Sequence, residues 1–362
     1  MPGKSSLEWH RHYRDRREEL EDFWGRRASA PNLRARYRVF GASVSMASNH
    51  ECAAAAFELS HPQFSQVPGN ADDLPGYELQ FAVDPGRETT DVPDDLSTHM
   101  RRFGGGDWLL IDAGIWGSAH IDLRARTAHF ILSPALARRP DLISSCMLNT
   151  VILNLFIGSA GAGMLHASCL LKEGGERMLL LMAPHNTGKS TTALRLVQAG
   201  YRLLTDSMVF VRETSAGTQL LGFPVGRIKL RADVRREVVA ANAAIEEWLE
   251  PEEVRSETKH SLDLRRYRPE CVQSEAVLVP PCVDLCLLER TGKLETTLRP
   301  ALAQTVMEAV VANSLYCDRD EVWLPNLELL SRLVEGADCF HLAAGTDVAS
   351  LVGVIEGMGE RP

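Results

Sequence analysis

The feature that most constrains this chain is a buried strand that runs straight into a glycine-lysine helix start. Residues Arg177–Met182 read RMLLLM, and Ala183-Pro184-His185-Asn186-Thr187-Gly188-Lys189-Ser190-Thr191 follows at once. A strand apolar on both faces belongs inside a sheet covered by helices on both sides. The segment after it has the make-up of a phosphate-binding turn that opens a helix. Backbone N–H groups of such a turn, backed by the helix dipole, hold phosphate oxygens. Lys189 would reach the β- and γ-phosphates, and the Ser190 hydroxyl would ligate Mg²⁺. Gly188 removes the Cβ that would block close approach of the backbone. Ala183 stands where the motif's first glycine is usual and is small enough to replace it. His185 is either a nucleotide contact or loop filling. Ala183 through Thr191 are therefore the candidate nucleotide-binding residues, with ATP and Mg²⁺ as the expected ligands.

Composition sets the frame around this motif. The chain has 362 residues, 45% hydrophobic and 24% charged, with 39 basic against 48 acidic side chains. That length predicts two to three domains, and the apolar share argues against intrinsic disorder. A net charge of −9 excludes a general nucleic-acid binder. Residues 1–38 nevertheless hold ten Lys/Arg and six Asp/Glu, a local +4 that leaves −13 for the rest. The eight cysteines are widely spaced and include no Cys-x-x-Cys, so reduced, mostly buried thiols are expected. The N-terminus lacks an apolar core and does not read as a secretory signal. Leu142–Leu165 is 24 residues without a charge, long enough for a membrane helix. Its serines, asparagines and glycines favour a buried helix running into a strand. The expectation is a cytoplasmic protein that engages neither membrane nor nucleic acid.

Along the chain, residues 5–27 read as a charged amphipathic helix, either a docking arm or a solvated face. From Arg36 the pattern YRVFGASVSM alternates like a strand, and ECAAAAFEL reads as a helix. Strands follow at Tyr77–Val83 and in the DWLLIDAGIW and HIDLRARTAHFIL segments. These predict an arm over 1–35, an α+β domain over 36–140 and a catalytic domain over 141–362. In the last, strands are predicted at Met164–Leu171, Tyr201–Thr205 and Met208–Arg212, and helices at Met307–Leu315 and Leu327–Leu333. Arg227, Lys229 and Arg231 alternate in GRIKLR, so as a strand they would share one face. That face is a candidate substrate contact or simply solvated. Residues 233–258 read as an acidic helix and loop, either a lid or surface structure.

The helix after Lys189 ends at Gly200, and the next strand closes on Asp206, 17 residues after the lysine. With Leu165-His166-Ala167-Ser168, the RMLLLM strand, the loop, ALRLVQAGYRLLTDS and Gly222-Phe223-Pro224, this resembles the catalytic domain of HPr kinase/phosphorylase and its HPr-kinase-like relatives. The resemblance covers about 60 residues well and extends loosely to about residue 350. It implies an α/β P-loop kinase core of the HPr kinase/phosphoenolpyruvate carboxykinase type behind the N-terminal α+β domain. It also implies an ATP- and Mg²⁺-dependent phosphotransferase acting on a hydroxyl, in the founding family a protein serine. Some relatives phosphorylate a serine of a precursor peptide, and this chain looks more like those. By the resemblance Lys189, Asp206 and His166 are catalytic, Ser190 and Asp206 hold the metal, and Lys259 is a substrate or γ-phosphate contact. The founding family forms hexamers, which leaves a homo-oligomer open. Ser207 departs from the pattern, since relatives carry a second acid there. Two rival readings stay beside the serine kinase: a nucleotide-binding pseudokinase scaffold, and a small-molecule kinase on the same core.

Overall fold

The structure, a computed structural model, describes residues 23–25, 30–39, 42–60, 76–87, 90–157, 162–172, 177–184, 187–254, 257–273, 277–280, 282–314 and 320–360. The expected helix over 5–27 lies almost wholly outside the described residues. The chain is a mixed α/β protein in two compact units, Met1–Gly158 and Ser159–Pro362.

Unit 1 is a seven-stranded sheet with helices packed on it. Its strands are β1 (Leu33–Val39), β2 (Ala42–Ser48), β3 (Tyr77–Val83), β4 (Arg101–Gly105), β5 (Trp108–Asp112), β6 (Gly117–Asp122) and β7 (Thr127–Leu132), in the order β1-β2-β3-β7-β6-β5-β4. The alternating run from Arg36 is thus a hairpin of two strands rather than one. Helix α1 (Cys52–Ser60) follows β2, and α2 spans Pro140–Ile157 with Ile143–Leu148 wound as a π-helix. Aromatic rings fill the core: Tyr37 stacks on Phe57 at 4.2 Å and Phe81 on Phe130 at 4.0 Å. Such pairs add to burial a preference for one ring arrangement.

Helix α2 is long and apolar enough to cross a bilayer, with mean hydropathy 1.4. Ile143, Met147, Leu148, Val151 and Ile152 are nevertheless all at most 1% exposed. Asn149 accepts from Ser60 Oγ, and Phe156 meets Tyr77 at 4.7 Å between ring centres. These contacts place α2 in unit 1, so the chain divides at Gly158/Ser159 rather than near 140. The uncharged run conceals this because a core helix of one unit leads directly into the first strand of the next.

Unit 2 is built on a larger mixed sheet. Its strands are β8 (Ala162–Leu165), β9 (Ser168–Leu171), β10 (Arg177–Met182), β11 (Arg202–Thr214), β12 (Gly217–Val225), β16 (Val277–Leu278), β17 (Cys282–Arg290), β18 (Thr297–Pro300) and β19 (Asp338–Ala344). The order is β16-β12-β11-β9-β10-β17-β19-β18, with β8 also paired to β11. Strands β10, β17 and β19 run parallel. Residues of β10 alternate between two cores. Leu179 and Leu181 pack with helix α3 (Lys189–Gln198) through Ala193, Leu194 and Val197. Met178, Leu180 and Met182 pack instead with Val306, Val310, Leu329 and Leu330, carried on α5 (Ala303–Asn313) and α6 (Asp320–Glu335). Arg177 anchors the start of β10 through a bidentate ion pair to the buried Asp284 on β17.

A smaller sheet joins β13 (Arg227–Arg231), β15 (Glu257–Asp263) and β14 (Leu249–Val254) in the order β13-β15-β14, with α4 (Ala232–Ala241) between β13 and β14. The segment read as acidic helix and loop therefore contains α4 and then β14, with β15 starting at its end. Helix α7 (Val348–Glu356) closes the α3-side core. The seven described cysteines are free thiols.

Two irregularities position the site. The run predicted as two strands, Tyr201–Thr205 and Met208–Arg212, is one long β11 with a bulge. Thr205 pairs with Val225 and Met208 with Phe223, so Asp206 and Ser207 together oppose the single residue Pro224. Proline has no N–H for the ladder, and an extra residue on the facing strand re-aims its side chains. Thr205 Oγ1 bridges the gap, donating to the Pro224 carbonyl at 3.0 Å and accepting from the Ser207 N–H at 3.2 Å. The predicted strand Met164–Leu171 is in turn split at His166–Ala167, opposite this bulge. There the His166 N–H leaves the sheet and bonds the Asn313 carbonyl at 2.9 Å.

Just beyond the bulge the two strands nearly touch. A Cβ on Gly222 would lie 2.3 Å from the Leu204 carbonyl oxygen, a backbone atom that cannot swing aside. We expect Gly222→Ala to cost about 3 kcal/mol, as overpacking does, read as a lower denaturant midpoint for the purified chain.

Candidate functional site

The predicted loop residues meet at the carboxyl end of β10. Ala183 is 3% exposed and directs its carbonyl at Lys189 Nζ, which donates to it at 3.4 Å. The Pro184 carbonyl accepts from Thr187 Oγ1 at 2.9 Å, which tightens the turn. His185 and Asn186 lie outside the described residues. Gly188 is the N-cap of α3 with φ of +99°, a left-handed conformation that strains any side chain. Its carbonyl accepts the Thr192 N–H at 2.9 Å and starts the helix. Ser190 and Thr191 are half-buried on the first turn. Below the loop, the apolar face of α3 is fixed in the core by Ala193, Leu194, Leu196 and Val197.

Asp206 is brought to this helix start by the bulge. It is 7% exposed and accepts a hydrogen bond from Ser168 Oγ at 2.5 Å, and the Ser190 hydroxyl and the Lys229 backbone N–H lie close enough to favour its ionised form. Burial pushes its carboxyl up to about 6, and the donors and the Lys189 charge oppose that rise. Lys189, itself 8% exposed, is held down to about 8 by burial, with the Asp206 charge opposing. Both shifts point the same way: each charge is costly to bury, and each partly compensates the other. A carboxylate offers about four lone-pair directions, and the Ser168 hydroxyl takes one of them. The others can meet a metal ion or a proton.

The donor set fits magnesium. The Ser190 hydroxyl lies close to the Asp206 carboxylate, and Mg²⁺ is commonly held by one or two such groups while keeping several waters. Among the described residues no three or more His, Cys, Asp and Glu side chains group together as a protein-only metal cage. The positive φ at Gly188 likewise fits a turn whose N–H groups face an anion.

The other predicted residues are nearby but differ in what they touch. His166 is half-buried at the β8–β9 break, two residues before Ser168. The side chain that meets Asp206 there is Ser168, which is fully buried and was not given a role from sequence. As expected, Arg227, Lys229 and Arg231 share one face of β13, with Ile228 and Leu230 buried on the other. Acids already address that face. Arg227 lies 3.9 Å from Asp263 and Arg231 lies 3.7 Å from Asp233. Lys229 is exposed, and its backbone N–H lies close enough to Asp206 to favour the ionised carboxyl. Lys259 is half-buried on β15, directly across from Arg231 in register. Ser207 is half-buried, with its N–H taken by Thr205.

No protein-family model matches the chain, and no curated protein matches it. Among solved structures, the Hpr(Ser) kinase/phosphatase from Coxiella burnetii is a weak neighbour. It is 11% identical with a TM-score of 0.29, and the match covers 54% of this chain and 95% of that one.

Ser168→Ala tests the role the geometry gives Ser168. A hydrogen bond to a charged group contributes about 1.5–3 kcal/mol, so the variant should lose about that much stability at pH 7.5. The loss should be smaller at pH 5. The native carboxyl, raised to about 6, is protonated there and depends less on a donor. Denaturant titrations of both proteins at the two pH values give the comparison.

Proposed function

We infer that unit 2 binds MgATP and transfers its γ-phosphoryl group to a hydroxyl, on a serine of a protein or peptide. The observation that carries this reading is the convergence of Gly188, Lys189, Ser190 and Asp206 at one helix start. The serine acceptor rests on the sequence resemblance alone.

The geometry supports the following residue roles. Backbone N–H groups before α3 would bind the β-phosphate, and Lys189 would leave the Ala183 carbonyl to reach the β- and γ-oxygens. Ser190 and Asp206 would hold the metal, with Ser168 fixing the carboxylate. Magnesium held by these two residues would supply positive charge to the phosphate oxygens. In transfer, the acceptor oxygen bonds to the γ-phosphorus, the bond from that phosphorus to the bridging oxygen breaks, and ADP leaves. The acceptor's proton goes to a base or to the transferred phosphate itself. Asp206, bonded to Ser168 and assigned to the metal, is poorly placed to take it.

That accounting supports the second reading, a nucleotide-binding scaffold, because Ser207 supplies no further carboxylate. Ser207→Asp separates the two: faster transfer means the native site lacks a base, whereas slower transfer gives the serine a part of its own. Lys189→Ala and Asp206→Asn should each lower hydrolysis of labelled ATP by 100-fold or more, a loss of about 3 kcal/mol. Absence of any effect would sink the kinase reading.

Lys189 adds a pH signature. Its affinity is lowered to about 8 in the free protein, and neighbouring phosphates would raise it again. MgATP binding should therefore take up protons near pH 8.5 and weaken as pH rises through 8. Calorimetry in two buffers of different ionisation enthalpy measures that uptake, and Lys189→Met should abolish it.

A further inference from the structure

We propose that Arg290 is a phosphate-contacting residue of the nucleotide site, an arginine that closes over the Gly188 turn from the neighbouring strand. This rests on the nucleotide reading above and names a residue that neither the loop motif nor the resemblance supplies.

Three observations place it there. First, β17 runs parallel to β10, and the last residue of β10, Met182, pairs with Leu287. Leu288, Glu289 and Arg290 therefore continue beside the loop, at the carboxyl end of the strands where open α/β sheets bind ligands. Secondly, side chains alternate along a strand. Cys286 and Leu288 are buried with Ala193 and Leu194 of α3, whereas Leu285 and Leu287 pack on the opposite side. Arg290, two residues past Leu288, falls on the α3 side, the one to which the loop climbs. Thirdly, the nearest atom to a Cβ built on Gly188 is Arg290 Cδ, at 3.9 Å. A guanidinium extends beyond Cδ, so its donors lie within reach of any phosphate seated on that turn.

The electrostatics agree. Arg290 is exposed and has no ion pair or side-chain hydrogen bond among the described residues. An unpaired guanidinium beside a buried lysine and a helix N-terminus is mutually repulsive until an anion arrives. Phosphate then receives charge-assisted bonds from all three. The planar fork of arginine suits two phosphate oxygens at once, which lysine reproduces only as a point charge.

Calorimetric titration of the full chain with MgATP, MgADP and adenosine tests the proposal. Arg290→Gln should weaken MgATP and MgADP by about 10- to 100-fold. Arg290→Lys should recover part of that loss, and adenosine binding should not change. The thermal unfolding midpoint without nucleotide should not fall, since the side chain is exposed and its removal relieves that repulsion. Arg290→Gln binding MgATP within twofold of wild type would overturn the proposal. So would an equal loss for adenosine, which would make the residue a base contact. If the wild-type chain binds no nucleotide, the reading of the site itself falls, and the proposal falls with it.

Discussion

Pro224 has no N–H to offer its neighbour, and the geometry of unit 2 around Asp206 follows from that gap. The long strand facing it bulges, two residues stand against one, and the carboxylate turns out of the ladder towards the helix start. Thr205 fills the missing place with its hydroxyl, so the distortion has fixed partners. The strand on the other side breaks at His166–Ala167 and resumes at Ser168, whose hydroxyl meets the same carboxylate. A ladder that cannot close at one proline thereby organises three segments that are far apart in sequence.

The pieces of the site readable from sequence are those set by neighbouring residues. An apolar strand, a turn and Gly188-Lys189-Ser190 announce their own conformation because strand burial, φ > 0 and helix initiation are local demands. The one-sided face of β13 was legible for a similar reason, since period-two alternation needs no partner strand. Ser168 was not legible, because a serine in a strand carries no signal until the bulge places Asp206 opposite it. Arg290 is likewise invisible in the text of the chain, for only the parallel register of β17 with β10 brings it to the loop. The unit to which α2 belongs is hidden for a third reason: it has the composition of a core helix, and composition does not say whose core.

Unit 1 has a simpler logic. Its sheet combines a parallel centre with hairpins, and stacked aromatics pin it: Tyr37 on Phe57, and Phe81 on Phe130. Alternation along β2 leaves every second residue buried, the pattern expected of a strand with one face in the core. Periodicity alone marks strands in this unit, whereas its parallel centre depends on partners far apart in sequence. Its role is not legible, since none of its candidate features is a chemical motif.

The opposed charges of Lys189 and Asp206 have a practical consequence. Each charge is costly to bury, so a molecule that pairs with both would raise the melting temperature. Nucleotides and metal ions can therefore be screened by melting temperature alone, with no reaction to follow.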